Sequence, residues 1–404
     1  MPTKPSEQEL DEFLTRGVAE VIVRDDLKRL LGSGERRLRV KQGFDPTHPN
    51  LHIGHSLGLR KLRRLAEWGH EIVIIVGDWT TQIGDPTDKD ESRPMRSHEE
   101  VMKNAETYLE QFHLIVPGDD VRIEMQSKWF GSFGLRDVIE LASRFSAQQL
   151  LAREEFRKRL AANTPIPIKD LLYPLLQAQD SVEIEADVEL GGTDQQFNLL
   201  AGRQLQEKIG QRPQNVFITP LLEGLDGERM SKSKPDTAIW LTDAPKEMFG
   251  KVMSLRDDLM PHYFEWATEM PLGEVRSILG ALATKDLHPR EAKERLARQI
   301  VTELHSAAAA DDAARAFRTQ FREGGTAAVV DRRTVSFDAL EVPVADVLVA
   351  LKRARNKAEA RAVITQGAVR IDGAVATLET KLPRGYKGVI QVGRHTIEAT
   401  IGGG

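Results

Sequence analysis

No cysteine occurs among the 404 residues, which excludes a disulfide scaffold and any thiolate-held metal site. No apolar run approaches the roughly 18 residues that a membrane-crossing helix needs, so no membrane partner is expected. The opening stretch Met1-Pro2-Thr3-Lys4-Pro5-Ser6-Glu7-Gln8-Glu9 lacks the apolar core of a secretory signal, and these absences together fit a cytoplasmic location. Also missing are a G-x-x-x-x-G-K-[ST] phosphate loop, an internal repeat and any low-complexity tract beyond the alanines at 307–310. What is present, 40% hydrophobic and 29% charged residues, is the composition of an ordinary globular chain. Its length suggests two or three domains, each able to bury a core.

Positive charge is scarce overall and concentrated at one end. The formal charge is −5, yet residues 341–404 hold ten Lys and Arg against six Asp and Glu, which leaves that segment at +4 and the remainder at −9. A basic tail on an acidic body is the footprint of local RNA contact rather than of general affinity for polyanions. Arg353, Arg355, Lys357, Arg361 and Arg370 are the candidate RNA contacts.

Residues 9–31 place Leu10, Phe13, Leu14, Val18, Val21, Leu30 and Leu31 at helix-compatible spacing and predict an N-terminal helix. The nearly continuous apolar run Glu71-Ile72-Val73-Ile74-Ile75-Val76-Gly77 predicts a buried parallel strand. Ser97-His98-Glu99-Glu100 has capping-box spacing at the start of a helix. Alternation of Val182, Ile184, Ala186, Val188 and Leu190 predicts a strand before Gly191-Gly192, and 215–219 another. The alternation of strands and helices predicts an α/β catalytic domain with a doubly wound, Rossmann-like parallel sheet, in which ligands sit beyond the carboxyl ends of strands. After Thr242 the pattern turns helical to about residue 325, and 324–338 reads as a linker. A compact unit follows, with helices over 344–355 and 357–365 and a strand and turn at 367–373. The expected division is a catalytic domain at 1–242, an α-helical domain at 243–335 and a small basic α+β domain at 341–404.

Two short motifs carry the chemistry. Pro46-Thr47-His48-Pro49-Asn50-Leu51-His52-Ile53-Gly54-His55 puts two imidazoles and a glycine where a loop enters a helix, a place that favours a polyphosphate through exposed N–H groups and the helix dipole. Arg229-Met230-Ser231-Lys232-Ser233-Lys234 puts cations on a loop able to close over phosphates. Nucleotidyl transfer needs mostly positioning and positive charge, and here both are supplied without a phosphate loop. On spacing alone, His52 and His55 are equally compatible with metal ligation or with a helix cap and a packed ring, and the basic loop with a solvated surface. Zinc is set aside because the other histidines form no spaced cluster with this pair. The order of the two motifs, with a strand-like run and a Gly43-Phe44-Asp45-Pro46-Thr47 turn before the first, favours the functional reading.

These motifs resemble the HIGH-type and KMSKS-type signatures of class I aminoacyl-tRNA synthetases. Tyr173, Gln177 and Asp180 fall at i, i+4 and i+7 of a helical segment, on one face, although a solvated stripe would share that spacing. With the Gly191-Gly192-Thr193-Asp194-Gln195 turn they resemble the amino-acid pocket of the tyrosyl-tRNA synthetases, and residues 341–404 resemble the small RNA-binding domain found in bacterial members of that family. The resemblance implies that Asp180 accepts a hydrogen bond from the substrate phenol, with Tyr173, Gln177 and Asp85 on its ammonium. Lys41, Thr80 and Gln195 complete the expected tyrosine-binding set. Asp45, Thr47, His52, Gly54, His55, Gly192, Asp194, Met230 and Lys232 are the expected ATP-binding set. His52, His55, Lys89, Arg93 and Lys232 are the expected catalytic residues, stabilising charge on the departing phosphates.

Two departures stand out. Lys41 replaces a tyrosine of the best-known bacterial branch, and Arg229 replaces the first lysine of the signature loop, which keeps the charge but alters hydrogen-bond geometry. Further implications are tRNA(Tyr) and tyrosine as substrates, ATP with Mg2+ carried on the nucleotide rather than in a resident metal site, and a homodimer. A tryptophanyl enzyme, a small HxGH nucleotidyltransferase and a non-catalytic RNA-binding derivative are the alternatives. The basic tail and the Tyr173-Gln177-Asp180 face oppose the first, chain length and the Lys232 loop the second, and the intact His52, His55 and Lys232 the third.

Overall fold

The computed structural model describes residues 2–86, 97–118, 121–232, 234–322, 331–337, 339–393 and 395–402, so Lys89 and Arg93 lie outside the described residues. The chain forms two compact units, Met1–Ala310 and Asp311–Gly404.

In the first unit six strands form one sheet: β1 (Glu20–Ile22), β2 (Arg39–Phe44), β3 (Glu71–Val76), β4 (Val121–Met125), β5 (Val188–Gly192) and β6 (Asn215–Thr219). Their order is β1-β6-β5-β2-β3-β4, all parallel except β1, which runs antiparallel to β6 at the edge. The chain proceeds outward from β2 through β3 to β4, then returns to the other side of β2 for β5 and β6. A crevice therefore opens beyond the carboxyl ends of β2 and β5, where connections leave in opposite directions. The expected doubly wound sheet is the one observed.

Strand alternation distributes the apolar side chains between two layers. Ile72 and Ile74 of β3 pack with Leu59, Leu62 and Leu65 of the helix Ile53–Glu67 and with Phe112 of the helix His98–Ile115. Val73 and Ile75 face the opposite layer, with Trp129, Phe130 and Ile184. Both faces of β3 are covered, which is why its sequence is apolar without interruption. Ser97 caps the second of these helices, accepting from the Glu100 N–H at 3.2 Å.

Three local expectations are corrected. The N-terminal segment is not one helix: it is Glu7–Phe13, then β1, then a helix Arg24–Ser33, because Gly17 takes a positive φ of 58° and the chain turns to pair with β6. The alternating pattern at 182–190 starts too early. Residues through Glu183 complete the helix Ile168–Glu183, whose amphipathic face satisfies the same apolar positions, and β5 begins only at Val188. Within the expected linker, Asp331–Ser336 forms a strand, β7, while 323–330 and 338 lie outside the described residues.

The helices Pro245–Met253, Met260–Trp266, Leu272–Ala283 and Pro289–Leu304 belong to the same compact unit as the sheet. Part of the reason is a buried ion pair, Arg60 with Glu303 at 2.8 Å, joining the helix Ile53–Glu67 to Pro289–Leu304. Desolvation pulls the Arg60 guanidinium down to about 10, and Glu303 opposes that pull.

The second unit holds the five-stranded sheet β10-β9-β12-β13-β7, with β8 (Glu341–Pro343), β9 (Val369–Ile371), β10 (Ala374–Val375), β11 (Lys381–Pro383), β12 (Lys387–Val392) and β13 (His395–Gly402); β11 and β8 pair separately. β7 runs parallel to β13, from Asp331↔Ile397 to Ser336↔Gly402. The helices Val344–Ala350 and Lys357–Thr365 close its core around Val347, Leu348, Ile364 and Ile390.

Removing Glu303 would leave Arg60 charged and unpaired in the interior. Glu303→Ala should therefore cost about 3–5 kcal/mol in chemical denaturation, and Arg60→Met combined with Glu303→Leu should recover most of it. Equal stability of Glu303→Ala and the native chain would remove this pair from the forces holding helix to sheet.

Candidate active site at the carboxyl ends of β2 and β5

A cavity of about 560 Å³ occupies the crevice. It gathers all the described residues of the expected ATP-binding set, and those of the expected tyrosine-binding set other than Lys41. Segments separated by up to some 190 residues converge: most follow a strand of the sheet or lie on a helix packed over it, and the loop at 229–232 reaches the same mouth.

Asp45, one residue beyond β2, is held by two hydroxyls: Thr80 donates to one carboxylate oxygen at 2.7 Å and Tyr173 to the other at 2.8 Å. Burial pushes Asp45 up to about 7, against the pull of those donors. Gly77 makes the approach possible, since a Cβ there would stand 2.1 Å from Asp45 Oδ1 and 2.5 Å from Thr80 Oγ1.

Tyr173, Gln177 and Asp180 do share one face of the helix Ile168–Glu183, which continues through Pro174. Asp180 is 2% exposed and receives the amide of Gln126 at 2.8 Å and the indole N–H of Trp129 at 3.2 Å. Burial pushes it up to about 7, while Lys41 and these donors pull it down. Asp85 accepts from Gln195 at 2.8 Å and lies 3.6 Å from Arg153.

His52 and His55 sit at the start of the helix Ile53–Glu67, ring centroids 3.9 Å apart. His55 Nδ1 lies 3.2 Å from the His52 backbone N–H and 3.1 Å from the His52 carbonyl oxygen, so it accepts from the one or donates to the other according to the ring's tautomer. Desolvation, reinforced by Lys232, brings His55 down to about 3, and His52 also falls well below its ordinary value. Both are therefore neutral at pH 7 in this state, and the cations that line the cavity, Arg229 and Lys232, come from the signature loop. The helix start is not bare: Ile53 N–H donates to Ile239 O and His55 N–H to His52 O. Gly54 admits the His52 ring, because a Cβ would lie 2.9 Å from Nδ1.

The signature loop is docked on the cavity. Arg229 pairs with Asp194 at 2.6 Å, Lys232 bonds the phenol of Tyr108 with its ammonium over the ring, and Lys234 is ion-paired with Asp226 and Glu228. Lys41 does not reach the cavity. It is wholly buried behind the pocket, its amine 2.8 Å from Glu189, so the expected direct contact with substrate is not what the structure places there. Sequence reading also missed Gln126, Trp129, Tyr108 and Glu189. Gln126 follows the last residue of β4, the kind of position where binding groups gather, but nothing local marks the other three.

Residues 33–322 match the family described as tRNA synthetases class I (W and Y), and residues 342–386 match the S4 domain. The chain belongs to the class I tRNA synthetases of the tryptophan and tyrosine type. Among individual proteins, the tyrosine–tRNA ligase of Dehalococcoides mccartyi is 47% identical over 91% of this chain and 93% of its own length. That of Moorella thermoacetica is 44% identical, covering 89% and 88%. A truncated mitochondrial tyrosyl-tRNA synthetase from Aspergillus nidulans shares the fold, with a TM-score of 0.62 over 77% of this chain and 94% of its own, at 23% identity.

Gly54→Ala should displace the His52 ring. We expect ATP–pyrophosphate exchange to fall more than about tenfold while the melting temperature moves only a few degrees, the pattern of a misplaced group rather than a lost fold. Full exchange activity would show that His52 is not held to its task by this contact.

Proposed function

We infer that the chain is a tyrosine–tRNA ligase. It activates tyrosine with ATP and transfers it to tRNA. The observation that carries this reading is Asp180: a buried carboxylate that accepts from two side-chain donors, Gln126 and Trp129, in the same cavity as His52, His55 and the signature loop.

In the first step a tyrosine carboxylate oxygen attacks the α-phosphorus of ATP. The bond to the bridging oxygen breaks, giving tyrosyl-adenylate and pyrophosphate. In the second, a hydroxyl of the tRNA terminal ribose attacks the carbonyl carbon and AMP leaves. The residues of this chain act by placement. Asp180 takes the phenol proton in a hydrogen bond, Tyr173, Gln177 and Asp85 hold the ammonium, and Thr80 and Gln195 brace this pocket through Asp45 and Asp85. Asp45, Thr47, Gly54, Gly192, Asp194 and Met230 form the nucleotide wall. His52 and His55 donate N–H groups to the phosphates, and Lys232, with Lys89 and Arg93, neutralises the charge that builds on pyrophosphate. Because Asp194 is engaged by Arg229, entry of the ribose requires that pair to part, which couples nucleotide binding to movement of the loop.

Mg2+ enters with ATP, so a chelator should stop exchange without weakening tyrosine binding. A homodimer in the cytoplasm is the proposed state. The helix Leu135–Ser143 packs against Ile168–Glu183 and leaves Leu135 76% and Ile139 59% exposed, an apolar face suited to a second copy; a monomeric mass by light scattering would refute it.

In the second unit Arg361 and Arg370 are exposed, whereas Arg355 is paired with Glu359 and Lys357 with Asp346. Arg353 is only partly exposed. Replacing Arg361 and Arg370 with Gln should weaken tRNA binding and lower its log–log salt slope by about 2, with exchange unchanged. A salt slope equal to that of the native chain would exclude them as phosphate contacts.

Asp180→Ala should erode the preference for tyrosine over phenylalanine by about 10- to 100-fold, the worth of one buried charge-assisted hydrogen bond. For the native chain, tyrosine binding should strengthen as pH rises through about 7, because the phenol needs the ionised acceptor. Undiminished discrimination in the variant would overturn the pocket assignment.

A further inference from the structure

Lys41 and Glu189 are cross-strand partners in the register of β2 and β5, at the switch point of the sheet and beneath the pocket rather than in it. Neither side chain reaches solvent: they are 0% and 1% exposed, with amine and carboxylate 2.8 Å apart. A buried pair of this kind contributes little to stability compared with apolar residues of the same volume, so its presence calls for another reason.

The surrounding bonds supply one. The Lys41 ammonium has two further acceptors, both on the helix that carries Asp180: the carbonyl of Gln177 at 3.0 Å and the hydroxyl of Ser181 at 2.9 Å. It is thus fastened to the helix on either side of Asp180, three residues before it and one after. Glu189 accepts from the Gln177 side chain at 3.3 Å and from Ser181 at 3.1 Å, and also receives the amide of Gln214. Gly202 leaves the room for this cluster, since a Cβ there would lie 2.8 Å from both Gln214 Nε2 and Ser181 Oγ. Gln177, one of the groups on the substrate ammonium, is held at its carbonyl by one member of the pair and at its amide by the other.

We propose that Lys41 is a positioning residue, a fixed counter-charge that pins the helix on either side of Asp180 and favours the carboxylate form that accepts the substrate phenol, and that Glu189 anchors it while orienting Gln177. This rests on the tyrosine-ligase reading and deepens it: Lys41 acts on Asp180 through the pocket floor rather than by touching the substrate. The groups facing Asp180 are Lys41 from β2, Glu189 from β5, and Gln126 and Trp129 from the segment after β4. Of the forces that oppose its burial Lys41 is the largest, and Glu189 opposes Lys41 more weakly.

The sign of the test follows. Without the ammonium, Asp180 holds its proton to higher pH. Tyrosine binding to full-length chain, measured by equilibrium dialysis from about pH 5.5 to about 9, should show the Lys41→Met midpoint about 1–2 pH units above the native one. Lys41→Met also strands Glu189, so its stability falls. Lys41→Met combined with Glu189→Gln carries no lone buried charge and should regain melting temperature, yet its midpoint should stay above the native value because the larger influence has been removed. A purely structural pair predicts restored stability and a restored midpoint together. The proposal is overturned if either folded variant binds tyrosine with the native midpoint. Asp180→Asn separates the two levels: a native pH profile there would defeat the pocket assignment itself, whereas a flattened profile alongside an unshifted Lys41→Met would defeat only the role given to Lys41.

Discussion

The divergence of the chain on either side of β2 is the constraint on which the catalytic unit depends. Because β3 and β4 extend the sheet one way and β5 and β6 the other, no connection crosses the carboxyl ends of β2 and β5, and a crevice is left without cost to the hydrogen-bonded core. Many of the candidate site residues stand on its rim: Asp45 and the His52–His55 turn after β2, Thr80 after β3, Gln126 after β4, Gly192 and Asp194 at β5. A closed antiparallel sheet of the same residues would offer no such common mouth.

The crevice then sets the electrostatics. Its walls are dry enough to push Asp45 and Asp180 up to about 7 and to hold His52 and His55 neutral. Such a site must import its counter-charge, and it does so from two directions. Lys41 stands below, held in place by its ion pair with Glu189. Arg229 and Lys232 bring cations from above on a loop whose present partners, Asp194 and Tyr108, are themselves cavity residues. Fixed charge suits the amino acid, which is bound throughout, and movable charge suits a phosphate chain that must enter, react and leave.

The arrangement also explains why the helices after Thr242 share a compact unit with the sheet. Arg60 lies on the helix that His52 begins, and its pairing with Glu303 ties the orientation of that helix to the region that follows the signature loop. Tyr263 donates to the backbone oxygen of Glu223 at 2.7 Å, bracing the approach to the loop from the same side. The second unit is built on its own core, and the cations proposed to meet RNA belong to it, whereas the residues proposed for adenylate chemistry belong to the first unit.

Several features were settled by local sequence. β3 could be read from its unbroken apolar run and the Tyr173-Gln177-Asp180 face from spacing alone, because each depends on the period of a single element. The HIGH-type and KMSKS-type motifs are legible for the same reason: their residues are contiguous. Other features were decided only when distant segments met. The N-terminal pattern fits a helix, but pairing with β6 draws Glu20–Ile22 into a strand; residues 182–184 alternate like a strand, but Val182 and Glu183 complete the helix over the pocket and Ile184 caps it. Asp331–Ser336 has no marked pattern and becomes a strand only because β13 offers an edge. Lys41 shows the limit most clearly. Its position in the sequence suggests a substrate contact, yet its direction is set by strand register with Glu189, 148 residues away, and by the helix above it. Spacing along the chain fixes which face a residue shares; only packing decides what that face is turned toward.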